Sequence, residues 1–143
     1  MRREMKKLIL GYYQHLLENI VPPASITSRA ACNLSNAELF FSDDKSDIAK
    51  AREICMACPV RQLCADYYLP LEIEGIFAGL DQKQRTVLRG GKQGFTFEEL
   101  NEAICWQRDL KRLNAADFSN KYGINERTYF RYRDELLEVN QAS

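Results

Sequence analysis

Three cysteines lie within ten residues of this chain, in the run EICMACPVRQLC at positions 53–64. The spacing is C-x2-C followed by C-x5-C, which involves Cys55, Cys58 and Cys64. With 143 residues, the chain has enough material for one ordinary domain or two very small ones. Small domains bury little apolar surface, so a metal centre held by these thiols would contribute heavily to folding.

The composition is typical of a soluble globular protein, with 45% hydrophobic and 28% charged residues. The formal net charge is zero, so contact with nucleic acid or an anionic membrane would require a local charged patch. The apolar run LILGYY near the N-terminus is too short to span a bilayer, and no small-residue cleavage site follows it. We therefore expect a cytoplasmic protein, where thiols stay reduced and clustered cysteines indicate metal binding or catalysis.

No segment alternates as a strand does, and apolar residues recur at helical spacings, so the sequence predicts an all-α fold. Four helices are predicted in the first part of the chain. The first covers residues 3–20 and carries the apolar stripe Met5, Ile9, Tyr12, Leu16 and Ile20. The second is capped by Ser46 and ends before Pro59, the third runs from Pro59 to Pro70, and the fourth is capped by Asp81. The glycine-rich run RGGKQG at 89–94 predicts a boundary between domains at 1–91 and 92–143. The second domain opens with a capping box formed by Thr96 and Glu99.

Cys32 is the candidate fourth ligand, separated from Cys55 by 22 residues. Four thiolates are typical of a structural zinc site or of an iron–sulfur cluster. Zinc ribbons usually carry two C-x2-C pairs, so one pair with an x5 gap favours the cluster. Two other interpretations stay open: buried thiols packed together by chance, and a disulfide reductase using Cys55 and Cys58. Cys105 falls outside this spacing and is predicted to be a core thiol.

The runs AACNLSNAELFF, AREICMACPVRQLC and GIFAGL together resemble the WhiB-like proteins of actinobacteria and their phages, over about residues 28–91. The shared features are the order of the cysteines, the pair Phe40-Phe41 after the first cysteine, and a glycine-bracketed aromatic turn. The resemblance implies a small helical domain around a [4Fe-4S] cluster that responds to oxygen and nitric oxide. The implied cluster ligands are Cys32, Cys55, Cys58 and Cys64. It also implies a role in transcription, commonly by docking on region 4 of the principal sigma factor.

The turn between Gly75 and Gly79 departs from the family pattern. That pattern usually reads Gly-Val/Ile-Trp-Gly-Gly, with the tryptophan contributing to the sigma contact, whereas this chain has Phe77. Phenylalanine can still provide an apolar anchor, although it lacks the indole donor. The same side chain could instead cover the cluster and shield it from water.

Residues 113–139 follow the plan of a helix-turn-helix, with a short helix, a turn at Gly123 and a second helix capped by Asn125. Between Lys121 and Arg133 four basic residues stand against one acid, Glu126, which gives a local charge of +3. Such arginines can bind guanine edges or phosphates in the major groove. The predicted DNA contacts are Arg127, Thr128, Arg131 and Arg133.

The sequence therefore predicts a transcriptional regulator that is not an enzyme. A helical iron–sulfur domain would bind the sigma subunit, and a helix-turn-helix unit would bind DNA. A zinc-stabilised protein-interaction adaptor and a disulfide reductase are the alternatives, and the sequence does not fix the oligomeric state.

Overall fold

The computed structural model describes residues 2–19, 21–33 and 35–142, without the side chains of 140–142. The α-helices in chain order are α1 (Arg3–Ile9), α2 (Gln14–Glu18), α3 (Ala24–Thr27), α4 (Lys45–Met56), α5 (Arg61–Tyr68), α6 (Gln82–Leu88), α7 (Phe97–Arg112), α8 (Ala115–Tyr122) and α9 (Glu126–Ala142), with a 3₁₀ helix at Ala37–Phe41. The described residues contain isolated β-bridges, Leu71 with Phe95 and Phe77 with Leu80, but no extended strand. The predicted all-α fold class is confirmed. None of the helices described is long and apolar enough to cross a membrane.

The chain forms two compact units. The cysteine unit comprises Val21–Thr96, and the terminal unit combines Met1–Ile20 with Phe97–Ser143. This division differs from the predicted one, which grouped residues 1–20 with the cysteines. The apolar side of α1 instead packs against α7, so the first residues of the chain complete the core of the terminal unit.

The prediction of one continuous helix over residues 3–20 is wrong. Gly11 has a φ of +87°, outside the helical region, and it separates α1 from α2. Three residues of the predicted stripe are buried: Met5, Ile9 and Leu16. Tyr12 beside the break is 58% exposed, and Ile20 lies outside the described residues.

Local capping chemistry sets the helix ends of the cysteine unit. Asp81 and Gln84 form a capping box at the start of α6, so the predicted Asp81 cap is confirmed. The predicted Ser46 cap is wrong, because Asp44 caps α4 by accepting a hydrogen bond from the Ser46 N–H. Helix α5 begins at Arg61 rather than Pro59, since a turn occupies the two residues before it.

The end of the cysteine unit is fixed by Phe95, which is buried. Its N–H donates to the Pro70 carbonyl over 2.8 Å, and its carbonyl accepts from the Glu72 N–H over 2.9 Å. The Glu72 carboxylate also accepts from the Gly94 N–H at 2.8 Å and from Arg89 at 2.6 Å. The unit therefore continues to Thr96, past the predicted boundary at residue 91.

An aromatic core holds the terminal unit together. The Trp106 ring of α7 meets Phe118 of α8 edge-on, with centroids 5.3 Å apart. Phe118 in turn lies 5.4 Å from Tyr129 of α9. Asp109 of α7 accepts hydrogen bonds from Lys121 and Tyr122, which ties α7 to α8.

Candidate metal centre

A single cavity of about 380 Å³ in the cysteine unit is lined by all four candidate ligands, Cys32, Cys55, Cys58 and Cys64. They come from three segments of the chain. Cys32 follows α3, Cys55 and Cys58 lie at and just after the end of α4, and Cys64 is in α5. The fold therefore brings together side chains up to 32 positions apart in the sequence (64 minus 32).

The cavity wall is mostly apolar, and Phe40, Ile54, Val60 and Ile76 form part of it. The pKa of the Cys64 thiol is raised to about 11, mainly by burial and in smaller part by the neighbouring thiols. Burial is also the main cause of the raised pKa of Cys55 and of Cys32. A metal centre would replace the protons of these thiols, so its binding would release protons.

Backbone N–H groups point at the sulfur atoms. The Ala78 N–H hydrogen-bonds to Cys64 and the Gly79 N–H to Cys55, and each lowers the pKa of its thiol against the effect of burial. The Ala31 N–H donates to the Cys58 Sγ over 3.5 Å. Donors of this kind stabilise thiolates and help to set the reduction potential of thiolate-bound clusters.

The turn from Gly75 to Gly79 requires its glycines. Gly75 has a φ of +108°, and a Cβ atom there would lie 2.7 Å from the Phe41 ring. Gly79 has a φ of +80°. These conformations carry the backbone close over the cavity, where its N–H groups reach the sulfurs.

Phe77 lies in the wall of the cavity and is half-buried. Its ring stacks on Tyr68 with centroids 4.2 Å apart and meets Phe41 edge-on at 6.1 Å. Phe41 itself is 62% exposed. The shielding role of Phe77 stays a prediction, and Phe41 is the aromatic side chain next to it that faces solvent.

Arg85 is a site residue that the sequence analysis missed. It is only 1% exposed, and its guanidinium donates to the carbonyls of three residues that flank or form the turn: Ile73, Gly75 and Leu80. The guanidinium also lies 5.3 Å from the centre of the Phe77 ring. Burial lowers the pKa of Arg85, although arginine stays charged in proteins. No sequence signal distinguishes Arg85 from the exposed basic residues of the same helix.

The candidate DNA-contacting residues lie on α9, and Arg127, Arg131 and Arg133 are exposed. Thr128 is half-buried, and its N–H donates to the Asn125 side chain at 2.8 Å, as the predicted cap requires. Gly123 ends α8 in the left-handed conformation, with a φ of +66°, so a short helix, a glycine turn and a second helix follow one another in the predicted order.

The positive patch differs in composition from the predicted one. Lys121, which was counted in the local charge of +3, donates to Asp109 at 2.7 Å. Arg133 instead lines a groove with two basic residues of α7, Lys111 and Arg112, which the sequence analysis did not single out. The prediction that Cys105 is a core thiol is wrong, since its side chain is exposed.

These observations define a class: small helical proteins built around a site of four thiols. The family model "Transcription factor WhiB" matches residues 27–88 of this chain. The transcriptional regulator WhiB2 of Mycobacterium tuberculosis is 33% identical over 78 residues, which cover 52% of this chain and 88% of the relative. This chain belongs to the WhiB family of transcriptional regulators.

Two relatives from Streptomyces coelicolor agree with this assignment. The transcriptional regulator WhiB is 34% identical over 62 residues, covering 43% of this chain and 71% of the relative. The transcriptional regulator WhiD is 36% identical over 69 residues, covering 43% and 62%. No solved structure matches this chain. The family model covers most of the cysteine unit, whereas α7, α8 and α9 lie outside it.

Proposed function

We propose that this regulator holds a [4Fe-4S] cluster in the cysteine unit, binds region 4 of the sigma subunit through that unit, and binds DNA through α9. The observation that carries the proposal is the convergence of Cys32, Cys55, Cys58 and Cys64 on one apolar cavity. The proposed activity is regulatory rather than enzymatic, and it takes place in the cytoplasm, where free thiols persist.

The size of the cavity supports a cluster over a single zinc ion. Zinc lies about 2.3 Å from each sulfur, so four sulfurs around it would stand only roughly 4 Å apart. The cavity that the four thiols line together with 14 other residues measures about 380 Å³. The donor set and the space together fit a multi-iron group.

The surrounding residues would hold and shield this group. The N–H groups of Ala78 and Gly79 would stabilise the thiolates of Cys64 and Cys55, and Phe77 would exclude water. When bound, the cluster would supply a centre that reacts with oxygen and nitric oxide. Loss of the four thiolate bonds would release the Cys32 segment from the helices, which is how we expect a signal to alter the sigma-binding surface.

The sigma contact is proposed for the turn with Gly75, Phe77 and Gly79 together with Phe41. Phe41 is 62% exposed and touches Phe77, so the two rings offer an apolar contact beside the cluster cavity. Exposed aromatic side chains are common anchors in protein interfaces. Any change in the packing of the cavity wall would therefore alter the proposed sigma-binding surface formed by these two rings.

The DNA contact is proposed for Arg127, Thr128, Arg131 and Arg133. The turn at Gly123 and the Asn125 cap support it, because a helix-turn-helix also joins a short helix to a second, capped helix through a tight turn. The exposed arginines provide the local positive charge that a neutral chain needs for contact with phosphates.

The decisive experiment is an absorption spectrum of protein purified without air, with iron, sulfide and zinc assayed in the same sample. We expect a brown protein with a broad band near ~400 nm and about four irons per chain. Cys32→Ser should abolish that band, whereas Cys105→Ser, the matched control at an exposed cysteine, should keep it. A colourless protein with about one zinc would contradict the cluster and indicate a zinc-stabilised adaptor.

The proposed coupling of cluster and sigma surface has its own test. Metal-free and loaded protein should differ in helicity, melting temperature and affinity for sigma region 4. Equal values in the two states would exclude the coupling. The alternative of a disulfide reductase is disfavoured because Cys55 is only 8% exposed, whereas reactive cysteines are partly exposed.

A further inference from the structure

Phe130 is an exposed aromatic side chain between the arginines of α9. It is 48% exposed, although the adjacent Tyr129 is buried at 3%. The Phe130 ring meets the Tyr129 ring edge-on, with centroids 5.1 Å apart. One edge of the phenylalanine is therefore held in place, while the rest of its apolar surface faces solvent.

Helix periodicity puts Phe130 on the same side of α9 as two of the candidate DNA-contacting residues. Tyr129 and Leu136 mark the buried side of the helix. Arg127 lies three residues before Phe130 and four before Arg131, so these three positions share one side of the outward surface, and Asp134, four residues after Phe130, lies there too. Phe130 is the fifth residue of α9, within the first two turns that a recognition helix presents to bases.

We infer that Phe130 is a specificity-determining residue that contacts the 5-methyl groups of thymines in the major groove. The inference rests on the proposed binding of DNA by α9. Thymine carries the apolar methyl group of the major groove, and phenylalanine is one of the side chains that contact it. Arg127 and Arg131 beside the ring complement the phosphates and the guanine edges, so duplex DNA matches both the charge and the apolar surface.

Self-association of the chain is the competing use of this surface. Leu137 is 52% exposed and lies seven residues after Phe130, two helical turns along the same side. In the first two turns of this side, Arg127 and Arg131 outnumber the one acid, Asp134, so a symmetric pair of α9 helices would bring two net positive surfaces together. The resulting repulsion favours an anionic partner, so we commit to DNA and treat a dimer as an outcome of the test.

The test starts from the loaded full-length protein and duplexes selected by repeated binding from a random pool. Each thymine in the selected duplex is then replaced by deoxyuridine, which removes only the methyl group. We expect binding to weaken by about fourfold at each methyl that Phe130 contacts, since one buried methyl or methylene group contributes that much. Phe130→Ala should weaken binding to the thymine duplex and should make deoxyuridine and thymine equivalent at those positions.

Phe97→Ala is the matched control, because Phe97 is also a phenylalanine of the terminal unit and is 49% exposed. It should keep the full difference between thymine and deoxyuridine. If wild-type protein selects no duplex, the proposed DNA binding itself fails. If it selects one but Phe130→Ala keeps the wild-type response to deoxyuridine, only the thymine inference is overturned. Sedimentation that shows a wild-type dimer lost in Phe130→Ala would overturn it in favour of self-association.

Discussion

At the scale of single residues, the wall of the cysteine cavity depends on the left-handed backbone of Ala78 and on the buried guanidinium of Arg85. Ala78 has a φ of +55°, in the left-handed region that costs an alanine about 1–2 kcal/mol. Its N–H hydrogen-bonds to Cys64, and its carbonyl accepts from the Arg61 Nε at 3.4 Å. These two bonds, together with burial of its side chain, hold it in that conformation.

A larger side chain at position 78 should disturb the turn. Ala78→Val should lower the free energy of unfolding of the cysteine unit by about 2 kcal/mol, because a β-branched residue at positive φ clashes with its own backbone and overfills the cavity wall. Ala78→Gly is the control and should stay within about 1 kcal/mol of wild type, since strain relief offsets the lost methyl and the added chain entropy. Urea unfolding without air measures both, and equal effects would contradict the strain argument.

Arg85 is the second residue whose placement the turn requires. Arg85→Leu should lower the free energy of unfolding by about 3 kcal/mol, because the carbonyls of Ile73, Gly75 and Leu80 would lose their donor in a buried position. Lys83→Leu on the exposed side of the same helix is the control and should change stability little. The urea midpoint of each variant, followed by circular dichroism, checks this; a small effect of Arg85→Leu would mean that water satisfies the carbonyls.

At the scale of elements, the α8–α9 junction depends on Gly123. A Cβ atom there would meet nothing within 4 Å, so any effect of substitution is conformational. The N–H groups of Gly123 and Ile124 both donate to the Ser119 carbonyl, over 2.9 Å and 3.3 Å. The left-handed conformation at Gly123 makes both bonds possible and turns the chain toward Asn125.

Gly123→Ala should therefore destabilise the terminal unit by about 1 kcal/mol, the cost of the left-handed conformation for a residue with a Cβ atom. Gly123→Asn should cost less, because asparagine tolerates this region better than alanine does. Thermal unfolding monitored through Trp106, the single tryptophan of the chain, reports on this unit alone. Equal losses for the two variants would show that the cost does not come from the left-handed backbone.

At the scale of the whole molecule, the two units should respond differently to removal of the metal. The candidate ligands all belong to the cysteine unit, and the terminal unit has its own aromatic core. If the proposed metal centre is bound, its removal should lower the melting temperature of the cysteine unit, because a small core would rely on the thiolate bonds. The Trp106 transition should keep its midpoint, and a parallel fall of both transitions would show that the units unfold as one.

Acid should weaken the terminal unit through Asp109. Hydrogen bonds from Lys121 and Tyr122 lower the pKa of this carboxyl below its usual value, so its stabilising effect is present above the unfolded pKa. That contribution is lost as the pH falls from about 4 through the folded pKa. The urea midpoint seen by Trp106 fluorescence should therefore fall more steeply in this range in wild type than in Asp109→Asn. Glu102→Gln, at an exposed carboxylate of the same helix, should keep the wild-type slope.

Local sequence chemistry predicted the helical class, several helix ends and the family. The spacing of Cys55, Cys58 and Cys64, the Asp81 cap and the turn at Gly123 are each encoded within a few residues. Such features depend on backbone propensity and short-range hydrogen bonds, which do not need the rest of the fold. The candidate ligand set also followed from sequence, because the cysteines and their spacing match a family pattern.

Tertiary structure alone decided how these parts combine. The burial of Arg85 beneath the turn, the pairing of Phe95 with Leu71, and the packing of α1 against α7 all join residues distant along the chain. Each of these contacts forms only when segments distant in the sequence pack against one another, and no local sequence pattern predicts that packing. The sequence by itself determined which atoms could hold a metal, and the packing of distant segments determined the cavity that surrounds them.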